Sequence, residues 1–109
     1  MSLRPGISGR AEADLTHQYR WYFANAGIDV ADRFLAGFDL TVDQLARQPG
    51  MGWARKFRAP ELAGIRSFPV AGHFAAHLVF YRVRGEELTI GVMHGGRDIP
   101  RRLLEPPED

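Results

Sequence analysis

The apolar residues of this chain change their spacing once, and that change limits the fold more than any other feature. Up to residue 48 they recur every three or four positions, the period of a helix with one buried stripe. Ala11, Leu15, Tyr19, Tyr22 and Ala26 form one stripe; Ala31, Leu35, Phe38, Val42, Leu45 and Ala46 form a second. Beyond residue 64 they bunch into short runs rich in branched and aromatic side chains: "IRSFPV" (65–70), "HLVFYRV" (77–83) and "LTIGVMH" (88–94). Such runs read as strands. A chain written this way lays two helices on a sheet.

The punctuation agrees. Ser8 can cap the first helix by accepting an orphan backbone N–H, and Gly27 is a natural stop. Asp29 opens the second helix, with Asp32 in its first turn where negative charge suits the helix dipole, and "QPG" at 48–50 ends it. So short a connection predicts an antiparallel helical hairpin. Ahead of it, "LRPGI" (3–7) is an edge strand at best because of Pro5 and Gly6. Residues 51–64 read as a loop. "RGEE" joins the last two strands into a hairpin, with Leu88, Ile90 and Val92 on the face that meets the helices. Asp98 can cap a short final helix, Ile99 to Leu104, that Pro106 and Pro107 halt. The fold class is therefore α+β, with elements in the order β-α-α-β-β-β-α around a small antiparallel sheet.

At 109 residues, the chain has material for one core, so residues 1–109 are expected to be a single domain with 105–109 as a dispensable flexible tail. No apolar run is long enough to cross a bilayer, and the opening "MSLRPGISGRAEADL" lacks the apolar centre of a secretion signal. A cytoplasmic protein is expected. The absence of cysteine excludes disulfides and thiolate-bound metal. The net charge of +1 conceals an uneven distribution. Residues 1–46 hold four Arg against six Asp/Glu, whereas residues 47–104 hold ten Lys/Arg against four. A basic second half predicts an acidic partner, either nucleic acid or an acidic protein surface.

The segments "RSFPV", "HLVFYRV" and "VMHGGRDIPRRL", in that order after two helices, resemble the ParE toxins of the RelE/ParE superfamily. The first helix is similar in its A-x-x-DL opening (Ala11, Asp14, Leu15), and the second in "ADRFL" (31–35). The resemblance spans residues 3–104. It implies the toxic half of a type II toxin–antitoxin pair, neutralised by a ParD-like antitoxin that folds onto it, with DNA gyrase as the target. Implied besides are a hetero-oligomer with the antitoxin, no cofactor, no membrane and no sequence-specific DNA binding by this chain. RelE-type relatives instead cut mRNA on the ribosome. A fold of this kind does not decide between the two.

RNA cleavage needs a base, an acid and cations around the phosphorus. His94, Arg66, Arg82 and Lys56 are the residues here that offer such a set, and a toxin that has lost its activity but still binds antitoxin is a further alternative. Against cleavage, Gly95 and Gly96 follow His94 and the final helix lacks tyrosine, whereas the RNA-cutting relatives commonly carry aromatic or acid/base groups there. "HGGRD" reads as a hinge, its glycines allowing a sharp turn into the final helix. For a toxin that acts by binding, Arg66, Arg82 and Arg97 are the expected target-binding cations. In "WARKFR", Trp53 and Phe57 alternate with cations, a composition suited either to gripping a partner or to pinning the loop on the core. Trp21 and Leu40 fall off the buried stripes of their helices. With Trp53 and Phe57 they are the candidate antitoxin contacts. His73 and His77 have a four-residue spacing, but a loop and a strand start do not present them to one metal ion.

Overall fold

The computed structural model describes residues 2–93. The expected hinge, final helix and tail, with His94, Arg97 and Arg101, lie outside the described residues. Strand β1 (Arg4–Ile7) leads into helices α1 (Gly9–Ala26) and α2 (Ile28–Arg47), followed by strands β2 (Trp53–Ala54), β3 (Arg66–Pro69), β4 (Leu78–Arg84) and β5 (Glu87–Met93). They form one sheet in the order β1-β5-β4-β3-β2.

Local chemistry sets the helical hairpin. Ser8 Oγ accepts the Ala11 N–H at 3.1 Å and donates to the Gly91 carbonyl at 2.7 Å, so one hydroxyl both caps α1 and ties it to β5. Gly27, at φ 96°, lies in a backbone region that side-chain-bearing residues avoid, and it both ends α1 and precedes α2. The second helix therefore starts at Ile28, one residue before the expected Asp29, which sits in its first turn. Tyr19 donates to Asp32, and the Tyr22 ring packs against Phe34, contacts that join the last turns of α1 to the first turns of α2 across Gly27.

The buried stripe of α2 is Ala31, Phe34, Phe38, Thr41, Leu45 and Ala46. Phe34 replaces Leu35 at its centre, because the steps 31, 34, 38, 41 and 45 hold one face more closely; Leu35 is half-buried at the edge. Thr41 is tolerated there because its hydroxyl donates to Gly37 O at 2.7 Å and accepts the Ala71 N–H at 2.9 Å. In α1, Ala26 is exposed, past the end of the sheet-facing stripe.

The sheet is larger than expected and mixed. β1 pairs parallel with β5, Pro5 opposite Leu88, because the whole hairpin lies between them in the chain. As an edge strand β1 tolerates Pro5. β2 comes from the segment expected to be loop: Trp53 and Ala54 pair with Ser67 and Arg66. β4 and β5 form the expected hairpin, turning at Gly85 with φ 59°. Their register shifts once, Phe80 opposite Val92 but Tyr81 opposite Ile90. Gly91 is the extra residue, so the helix-facing alternation passes from Leu88 and Ile90 to Met93, which is buried in the same cluster.

That main cluster also holds Ala11, Phe34, Phe38, Leu45, Val70, Val79 and Tyr81 between the hairpin and one face of the sheet. A smaller cluster, Leu62, Ile65 and Phe80, lies on the opposite face beneath the long 55–65 loop, which packs Phe57 and Ala59 onto it.

All three tyrosines of the chain are held above their ordinary pKa. For Tyr19 the cause is first its hydrogen bond to Asp32; for Tyr22 it is burial. Burial also dominates at Tyr81, partly offset by the Gly52 N–H and the charge of Arg66. A folded pKa above the unfolded one contributes stability that is complete below about pH 10 and lost as pH rises through the folded values. Phenolate absorbance of the folded chain should therefore rise at higher pH than that of the chain in urea. Coincident curves would contradict the arrangement.

Candidate functional site: two surfaces of opposite character

Alternation along β4 sends neighbouring side chains to opposite faces. Val79 and Tyr81 enter the main core under the helices, while Phe80 enters the smaller cluster, with Arg82 and Arg84 beyond it on the helix-free face. Here the 55–65 loop covers only part of the sheet. It leaves a hollow of about 290 Å³, floored by Leu62, Ile65, Phe80 and Gly91 and rimmed by Arg82, Arg84, Glu61 and Thr89.

Arg82 is the unusual member. Its Nη2 donates to the Glu61 carbonyl at 2.5 Å, but its Nε–H is buried without an acceptor. An unmade buried hydrogen bond of this kind typically costs about 1–3 kcal/mol. Alongside, the Arg55 guanidinium lies 5.6 Å above the Phe80 ring, and Arg55 Nη1 approaches Ser67 Oγ at 3.5 Å. Phe80 is thus a covered floor, 1% exposed, and offers no platform for a stacked base.

Arg66 is on the other side. It stands directly opposite Tyr81 in the β3–β4 pair, and its Nη1 donates to the Gly52 carbonyl at 2.7 Å. Tyr81 accepts the Gly52 N–H at 2.9 Å and donates to the Pro49 carbonyl at 2.6 Å. Together Arg66 and Tyr81 lash the turn after α2 to the sheet. The two strand cations singled out from the sequence are therefore on opposite faces. Lys56 is exposed on the loop, and Phe57 is packed partly inward.

The helical side carries the exposed apolar residues. Trp21, at 52% exposure, stands edge-on to Tyr22, and Leu40 is 49% exposed. Trp53 stands apart from them, on the edge strand β2 opposite Ser67 and so on the face of Phe80; it is 59% exposed, its ring 5.9 Å from that of Phe68. Trp21 is level with the start of α2, whereas Leu40 lies in its second half, so the hairpin does not gather them at one point. Phe23 and Ile28 are exposed as well, unforeseen because each sits beside a helix end. Between β1, α1 and α2 runs an apolar groove of about 450 Å³, lined by Ile7, Leu15, Phe38 and Val42 and edged by Glu12, Asp39 and Asp43.

His77 and His73 are not brought together. The His77 ring packs edge-on against Tyr22 and Phe34, with Nε2 2.8 Å from the Tyr22 hydroxyl, while His73 is exposed in the short turn Gly72–Phe74. Among the described residues no three His, Cys, Asp or Glu converge on a metal position, and no helix is long and apolar enough to cross a membrane.

Sequence reasoning missed the hollow, although "FYRVR" contains half of it: Phe80, Arg82 and Arg84 alternate onto one face.

Comparison with known proteins places this geometry. The profile of the family described as "ParE toxin of type II toxin-antitoxin system, parDE" matches residues 7–99. No curated protein matches the sequence. Among solved structures, a chain of the chromosomal ParDE TA system from P. aeruginosa is similar in fold, with a TM-score of 0.66 at 22% identity, covering 85% of this chain and 95% of that one.

Proposed function

The chain belongs to the family of ParE toxins of type II toxin–antitoxin systems, and from that premise we propose that it acts in the cytoplasm by binding and inhibiting DNA gyrase, and that a cognate ParD-like antitoxin neutralises it. The separation of Arg66 and Arg82 onto opposite faces carries this reading. Cutting RNA requires cations and acid/base groups converging on one phosphorus atom. Two cations divided by a sheet do not converge; each suits a contact with a protein surface instead.

On this reading the two surfaces divide the work. The antitoxin covers the helical side, where Trp21, Leu40 and the apolar groove offer area that a partner helix would bury, and reaches Trp53 at the exposed β2 edge of the sheet. The target meets the basic side through Arg82, with Arg66 contributing from the other face at the sheet end near Gly52; Arg97, the third target-binding cation of this reading, lies outside the described residues.

Expression of the chain in a bacterial host should cause filamentation and a DNA-damage response with mRNA intact, and His94→Ala should keep that toxicity. Cut mRNA, arrested translation and loss of toxicity in His94→Ala would replace this reading with the RelE-type one. Growth without inhibition would favour a toxin that only binds its antitoxin.

Arg66→Ala and Arg82→Ala should each weaken growth inhibition more than Arg101→Ala does. Arg82→Ala should do so with stability changed by only about 1 kcal/mol, because the lost bond to Glu61 is offset by removing the orphaned Nε–H. Arg66→Ala should also melt earlier, since it frees the Gly52 carbonyl. Equal toxicity of all three variants would contradict the assignment.

A further inference from the structure

We infer that the groove between β1, α1 and α2 receives a helical partner segment whose apolar stripe is flanked by lysine or arginine. The inference rests on the reading that an antitoxin covers the helical side, and it names the chemistry of the segment that does so. The apolar part of the groove is within a partner's reach: Ile7 is 38% exposed, and Leu15 and Val42 are half-buried, above a closed floor of Phe38 and Ile90. Among the described residues, the charged side chains lining it are Glu12, Asp39 and Asp43, all acidic and all exposed.

The folded chain does not itself account for that rim. Asp43 reaches Arg47, but among the described residues no cation pairs with Glu12 or Asp39. Glu12 suits the first turn of α1, where negative charge meets the helix dipole. Asp39 and Asp43 have no such reason. Both stand in the second half of α2, where the dipole disfavours a carboxylate, and aspartate is a poor helix former away from a cap. Carboxylates kept there at a cost to the helix, around apolar side chains left open, suit a partner that brings cations.

The form of the partner follows from β1. In its parallel pair the N–H groups of Arg4 and Ser8 point at β5, so the outer edge presents Pro5 and Ile7, and Pro5 has no N–H. An added strand would find too few donors. A helix with one apolar stripe fits instead, its stripe filling the groove and its flanks meeting the rim.

The full chain, labelled with ¹⁵N, is titrated at low ionic strength with two acetylated, amidated peptides that share one leucine stripe, AKLKALLAKLKALA and AELEALLAELEALA, while the backbone amide resonances are followed. The lysine peptide should saturate with shifts at Ile7, Glu12, Leu15 and Val42. It should bind at least tenfold more tightly than the glutamate peptide, a margin that shrinks as salt is added. Glu12→Gln combined with Asp39→Asn should remove most of that margin in a chain that still melts cooperatively, whereas Asp29→Asn, at the other end of α2, should keep it. Equal binding of the two peptides to the wild type, a margin that survives the double variant, or no saturable shift at those amides would overturn the assignment. So would a free chain that sediments as a dimer and is split by the peptide, which gives the groove to a second copy. Peptide-induced shifts spread over residues 94–109 would equally overturn it, by giving the groove to the chain's own end. Any of those results would leave gyrase inhibition and antitoxin binding elsewhere on the toxin standing, and failure of those two would leave a positive titration standing.

Discussion

Gly52→Ala is expected to destabilise the fold by about 3–5 kcal/mol, the sum of an overpacked site and disturbed hydrogen bonds. The backbone of Gly52, φ −72° and ψ 156°, is comfortable for alanine, so conformation is not the obstacle. Space is. A Cβ at this position would meet the Tyr81 ring at 2.7 Å from Cε1 and 2.8 Å from Cζ, and the Tyr81 hydroxyl closer still. Tyr81 cannot retreat, because it is 1% exposed and its hydroxyl bonds both the Gly52 N–H and the Pro49 carbonyl. The turn must therefore lift, taking with it the bond from Arg66 to the Gly52 carbonyl. Urea denaturation should show the loss, with Gly50→Ala as control, since nothing lies within 4 Å of the Cβ it would add. Adding Tyr81→Phe should rescue little, because the ring carbons remain in the way. A Gly52→Ala protein as stable as the control would show that the turn is not clamped as described.

Phe34→Ala is expected to cost about 3–5 kcal/mol, the range for emptying a buried aromatic site. Phe34 is fully buried, its ring 5.1 Å from that of Tyr22, 5.5 Å from Phe74 and 5.2 Å from His77. These partners belong to α1, to the turn before β4 and to the residue that leads into β4, so one side chain holds the hairpin to the sheet. Trp21→Ala, which removes a ring that leans on Tyr22 from outside, should cost about 1 kcal/mol or less. If the two substitutions prove equally mild, the aromatic cluster is not what joins the layers.

Features fixed by chemistry within a few residues were legible in the sequence. Ser8 as cap, Gly27 as stop and the turn at Gly85 each follow from what a hydroxyl or a missing Cβ permits locally. The errors came where a distant segment decides. Phe34 and Leu35 are adjacent and both apolar, and only the position of the sheet selects Phe34. Thr41 looked polar until Ala71, thirty residues on, supplied its partner. The extra residue at Gly91 shifts the strand's alternation so that Met93 is buried with Leu88 and Ile90, and a bulge is a property of the pair, not of one strand. Parallel pairing of β1 with β5 joins residues more than eighty positions apart.

The candidate site divides the same way. The exposure of Trp21 and Leu40 followed from helical spacing alone. That Arg66 and Arg82 belong to different faces depends on the β3–β4 register, which the sequence does not carry. The hollow around Arg82 depends further on the 55–65 loop folding back to bring Leu62 and Ile65 onto Phe80.

A supercoiling assay with purified gyrase and the purified chain, run beside the same chain incubated with ribosomes and mRNA, tests most directly whether this toxin works by binding. The account predicts that supercoiling falls as the chain is added while the mRNA stays whole. Undiminished supercoiling alongside cut mRNA would contradict it.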